Sequence, residues 1–195
     1  MPPHYAISEA FIVIAALYCA WKLTRNSQWI GALGVLLFGA AASIGVYRFP
    51  SGQVAELASI HRWAGQIGGL AGMGLIGIEF LTKAAPKTKS SVLKWGFLII
   101  LLAMVLTANV KTALAVPFFL LWSIITIAAA FALPAGSILR RLGFAAIASI
   151  MLLNVIFIRQ SNSLSQDMSW HIFHMLIAIW VFGIYCMLTW QTKTR

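Results

Sequence analysis

Asp167, His171 and His174 stand together at the entrance to the last long apolar run of the chain, in the segment Asp-Met-Ser-Trp-His-Ile-Phe-His. On a helix, residues three apart project from neighbouring points of one face, and Asp167 lies a further turn back on roughly the same line. His171 and His174 are therefore spaced to share one ion. With His61 from another segment they would supply three nitrogen ligands and leave a fourth position for water, as in an open catalytic zinc site. Asp167, Glu56 or Glu9 would then serve as a partner for a ligand imidazole, as a fourth ligand or as the base for metal-bound water. Ser43 or Tyr47 would donate a hydrogen bond to a developing oxyanion, and Arg48 and Arg62 suit an anionic headgroup or carboxylate. The chemistry so assembled is hydrolysis of a lipid amide or ester.

The elements that must carry these groups follow from composition. The chain has 195 residues, 61% of them hydrophobic and 9% charged, with a mean hydropathy of +0.91. That excludes an ordinary soluble domain and predicts an integral membrane protein, a single transmembrane domain over residues 1–195. Backbone polar groups cannot stay unpaired in lipid, and long apolar runs without strand-like alternation select helices over a barrel. The formal charge of +10 invites a nucleic-acid reading, but the Lys and Arg fall almost wholly in short loops. Membrane topology accounts for them, and no nucleic-acid partner is expected.

Seven spans are predicted, at roughly Ile7 to Leu23, Trp29 to Tyr47, His61 to Leu81, Leu93 to Ala108, Ala113 to Leu133, Leu142 to Ile158 and Trp170 to Trp190. Ser8 and Glu9 sit at the outer end of the first, where an N-cap and a dipole-compensating acid are as good a reading as a functional one. Gly39, Ser43 and Tyr47 form a stripe on the second. The third is glycine-rich, which permits close helix contact in lipid, and His61 stands above the strip Gly65, Gly68 and Gly72. Ten basic residues fall on one side, among them Lys22, Arg25, Arg140, Arg141, Lys193 and Arg195, and four on the other, Arg48, Arg62, Lys111 and Arg159. The excess marks the cytoplasmic side, so the N-terminus is expected outside and the C-terminus in the cytoplasm, in a bacterial inner membrane. All four histidines, together with Glu9, Glu56, Asp167, Ser43, Tyr47, Arg48 and Asn154, then gather at the outer ends of spans. A polar pocket open to the outside is expected.

With Ser43 on span 2 and a His pair entering span 7, the chain resembles a distant bacterial relative of the superfamily that groups alkaline ceramidases with progestin and adiponectin receptors. The resemblance implies seven spans and a zinc ion held by three His, which activates water to cleave a lipid amide with Asp and Ser assisting. Ser43 matches the serine, but the residue four later is Tyr47 rather than His, and His61 stands on span 3 where that family has Asp. The pair His171-x-x-His174 is one residue shorter than the family's.

A different class remains open. His61-Arg62-Trp63-Ala64-Gly65 resembles the haem-helix starts of cytochrome b561-like and ferric-reductase-like proteins, in which one His from each of two helices ligates a b-type haem and Arg pairs with propionates. His61 with either His171 or His174 would serve. A noncatalytic membrane sensor or binding protein is the third reading. Trp21, Trp29, Trp63, Trp170 and Trp190 lie at span ends and read as an aromatic belt, and Cys19 and Cys186 as two buried thiols rather than a disulfide.

Overall fold

The computed structural model describes residues 2–85, 87–134 and 136–190. Pro86, Lys193 and Arg195, and the side chains of Lys87 and Lys89, lie outside the described residues. Seven helices are long and apolar enough to cross a membrane: α1 (Tyr5–Arg25), α2 (Trp29–Arg48), α3 (Ala58–Ala84), α4 (Lys87–Val110), α5 (Thr112–Ala132), α6 (Ile138–Ile158) and α7 (Gln166–Trp190). The chain is an integral, multi-pass, all-helical membrane protein, with no strand among the described residues.

Local chemistry sets the ends. Pro2 and Pro3 precede α1, where a missing N–H costs nothing. Past α2 the chain turns through Pro50 and Gly52, the latter at φ 77°, which a side chain rarely adopts. Ser137 caps α6 by accepting from the Arg140 N–H at 3.3 Å. The start of α2 is satisfied from across the bundle, where the Glu79 carboxylate accepts from the Gly31 N–H at 3.0 Å. This gives the acid on the far half of the bundle a capping role.

Packing closes six helices into a ring in the order α1, α2, α3, α5, α6, α7 and back to α1, with α4 applied to the outside of α3. Burial agrees: 61% of the most apolar stretch of α3 is inside the protein but only 11% of that of α4. The glycines of α3 divide the labour. A Cβ on Gly72 would stand 2.8 Å from the Gly34 carbonyl oxygen, and one on Gly77 would stand 2.8 Å from Thr126 Oγ1. These glycines let α2 and α5 approach the backbone of α3. Gly65 and Gly69, by contrast, have nothing within 4 Å of an added Cβ; they face open space near His61.

Two helices carry a π turn at the same end of the bundle, Ala64–Gly68 in α3 and Asn154–Ile158 in α6. Such an inserted residue widens the helix and shifts the register of the turns beyond it, and it commonly accompanies a functional site. Between His61 and Gly72 the shift breaks the single stripe expected from a regular period. Gly72 packs on α2 while Gly65 and Gly69 line a cavity.

Candidate functional site

Between the ring helices, at the end where α1 and α7 begin, lies a half-open cavity of about 780 Å³. That volume is within the ordinary range for a site holding one small molecule. Every ring helix contributes to its wall, and α4 does not.

Glu9 is the centre of the polar wall. It is 1% exposed, and its Oε1 lies 3.3 Å from Nε2 of His61 and 3.3 Å from Nε2 of His174. Neither ring aims an N–H closely enough to make a proper hydrogen bond, so Oε1 is left buried without one. Room for the carboxylate comes from Gly45 on α2, whose Cβ, if it had one, would lie 2.6 Å from that oxygen. Neither Ser8 as an N-cap nor Glu9 as the acid that complements the helix dipole is what the structure shows. The residue before α1 is His4 and no acid lies in the first turn; Glu9 sits deeper, on the face it shares with Tyr5, Ile12 and Ala16, all buried.

The partners of the two imidazoles fix their protons. A guanidinium only donates, so Arg48 Nη1, 3.1 Å from His61 Nδ1, makes that nitrogen an acceptor and leaves the ring proton of neutral His61 on Nε2. The other end of Arg48 is held by the Val54 carbonyl, which accepts from Nε at 2.7 Å. His174 is the mirror case: its Nδ1–H donates to the Trp170 carbonyl at 2.7 Å, so Nε2 is the nitrogen that gains or loses a proton opposite Glu9. Asn154, buried in the π turn of α6, donates to the Phe173 carbonyl at 2.7 Å and anchors α7 one residue before His174. The Trp170 ring lies 4.3 Å from that of His174 and stacks on Tyr5 at 5.0 Å.

Of the residues singled out from sequence, the structure brings His61, His174 and Arg48 together and keeps Arg62 on the cavity wall. His171 turns to other partners. Because Ser8 Oγ gives its own proton to the Tyr5 carbonyl, His171 Nδ1 donates to Ser8 Oγ, at 3.0 Å, and the ring packs 5.2 Å from His4. Asp167 accepts a hydrogen bond from the Tyr5 hydroxyl. Ser43 is exposed and bonds the Ala40 carbonyl at 2.7 Å; Tyr47 is 59% exposed, and Glu56 is exposed as well. None of these five lines the cavity; Ser43 and Tyr47 miss it because the inward face of α2 near its end is Ala41, Ala42 and Arg48.

Glu9, Trp170 and Arg159 were weighted otherwise by sequence. Trp170 is a half-buried cavity residue rather than part of a belt, and its indole Nε1 is buried without a partner. Arg159 also lines the cavity. Cys19 is buried as expected, but Cys186 is exposed. The signal for Glu9 was present in α1: Ile7, Phe11, Ile14 and Leu17 are exposed and mark the lipid face, while Ala16, Cys19 and Ala20 continue the opposite face from Glu9. Compared with known protein families, with characterised proteins and with solved structures, the chain matches none.

Proposed function

We propose that the protein is a membrane-embedded hydrolase of a lipid ester or amide, with Glu9 and His174 acting together as its base. The observation that carries this reading is the Glu9 carboxylate oxygen facing Nε2 of His174 at 3.3 Å, buried beside a cavity large enough for substrate. A water in that cavity loses its proton to the pair while its oxygen attacks the carbonyl carbon. The bond to the leaving alkoxide or amine then breaks, and the leaving group takes the proton back. The Nε2–H of His61 is the donor at hand for the carbonyl oxygen as charge builds on it. The Lys and Arg distribution supports a cavity mouth on the outer side.

Zinc, implied by the resemblance to the ceramidase and adiponectin-receptor superfamily, does not fit the donors as they stand. His171 is engaged with Ser8, and the Arg48 contact leaves His61 Nε2 protonated, so Glu9 and His174 remain as two ligands. A haem iron ligated by His61 and His174 would likewise need His61 Nε2 stripped of its proton, and the Glu9 carboxylate displaced.

The test is turnover of lipid esters and amides by detergent-purified protein in H2-18O, with products read by mass spectrometry. One label per acid released is expected, unaffected by chelators, and reduced by about 10²- to 10⁴-fold in Glu9→Gln and in His174→Gln. Absence of turnover across the panel, or full activity in both variants, overturns the proposal; loss of activity on chelation returns the metal.

A further inference from the structure

The charges on the cavity wall do not balance. Glu9 is the one carboxylate among its lining residues and is already shared by two imidazoles, while Arg48, Arg62 and Arg159 all contribute to the same wall. Arg48 is consumed by Val54 and His61. Arg62 and Arg159 are not: neither has an acidic partner among the described residues, and Arg159 lies with its guanidinium carbon 5.4 Å over the Phe173 ring. Both are exposed at the rim. The nearby acids do not answer them, since Asp167 is bonded to Tyr5 and Glu56 lies outside the cavity. Two guanidiniums on one cavity rim with no carboxylate of the wall to pair with offer an anionic group charge-assisted, bidentate hydrogen bonds. Deeper in, the wall changes character to Ile12, Phe38, Phe119, Met151 and Ile177. A polar end and an apolar end in one cavity describe an amphiphile.

We infer that this cavity selects a single-chain amphiphile with an anionic head, the head met by Arg62 and Arg159 and the chain laid past Glu9 and His174 along the apolar wall. The inference rests on the cavity being the reaction chamber of the proposed hydrolase, and it names the substrate class. Gln66 lines the same cavity.

Binding to the full-length protein in neutral detergent, followed by calorimetry or native mass spectrometry, tests it. The probes are lysophosphatidic acid, lysophosphatidylcholine of the same chain and glycerol 3-phosphate. Lysophosphatidic acid is expected to bind about tenfold more tightly than the choline ester, and Arg62→Gln and Arg159→Gln each to remove most of that preference. Glycerol 3-phosphate should compete poorly. Lys111→Gln, an exposed cation near the same end but off the cavity wall, should change nothing. Equal binding of the two lysolipids, competition by glycerol 3-phosphate alone, or an equal loss in Lys111→Gln overturns the inference. Glu9→Gln separates the two readings: it should keep lysophosphatidic acid binding while losing turnover. Tight binding without turnover in the parent protein defeats the hydrolase reading alone, and turnover of neutral lipids without anionic preference defeats this one alone.

Discussion

Arg48 donates to Nδ1 of His61 across 3.1 Å, and that contact decides which nitrogen of His61 holds its proton. Because His174 is fixed the opposite way round by the Trp170 carbonyl at 2.7 Å, two imidazoles facing one carboxylate present it with different things. His61 carries a proton on its Nε2, whereas Nε2 of His174 and the carboxylate have one proton position between them. The asymmetry comes from backbone and guanidinium partners outside the trio, which is how neighbouring groups of the same type come to hold distinct roles.

The His61 tautomer is directly measurable. In side-chain 15N spectra of the neutral state, His61 is expected to show a protonated Nε2 and a bare Nδ1, and His174 the reverse. Arg48→Met should mix the tautomers of His61 and lower stability by about 1.5–3 kcal/mol, the usual loss when a buried charge-assisted hydrogen bond goes. A protonated Nδ1 on His61 in the parent protein would contradict the site as drawn.

Gly45 is expected to be far more sensitive than Gly65. An added methyl at Gly45 meets the Glu9 carboxylate at 2.6 Å, whereas one at Gly65 meets nothing within 4 Å. Gly45→Ala should push the carboxylate off the two imidazoles and reduce turnover by about 10²-fold or more, with Gly65→Ala near wild type. Comparable activities would show that Glu9 position does not matter.

The crossing of α2 and α3 has no slack. A Cβ at Gly34 would stand 2.9 Å from the Gly72 carbonyl oxygen, and backbone cannot step aside as a side chain can. Gly34→Ala should therefore destabilise by about 1–3 kcal/mol, read as a lower thermal midpoint in detergent. Gly96→Ala, on exposed α4 with open space around it, should be neutral or gain up to about 1 kcal/mol from helix propensity.

Asp167 is expected to act as a tether. It accepts from Tyr5, which joins the start of α1 to the start of α7. Tyr5→Phe and Asp167→Asn should each loosen that end, seen as faster amide exchange over the first turns of α1, while leaving turnover within about tenfold of wild type. A loss as deep as that of Glu9→Gln would restore Asp167 to the catalytic role its position beside the histidines suggests.

Much of the architecture was legible because lipid allows few solutions. Runs of apolar residues long enough to cross the bilayer, separated by Lys, Arg, Pro and Gly, leave helices as the only element. The predicted spans match the observed ones one for one and differ only at their ends. The close-packed role of α3 was also readable, since Gly72 and Gly77 serve no purpose on a lipid face. The site was readable only in part. His61, His174 and Arg48 carry rare side chains for a membrane span, so their types alone single them out.

Rotation about each helix axis was what the sequence left open. A one-dimensional pattern gave Ser43 and Tyr47 the same standing as Arg48, and His171 the same as His174. The residue types, the number of spans and the gathering of ionisable groups at one end were fixed by the chain itself, through the cost of placing charge and unpaired backbone in hydrocarbon. Which of those groups meet was decided by tertiary structure: the Gly45 gap that admits Glu9, the π turn after His61, and the ring closure that brings α7 against α1. Each depends on residues far apart in the chain, and a helical period that slips by one residue at a π turn turns every later side chain to a new face.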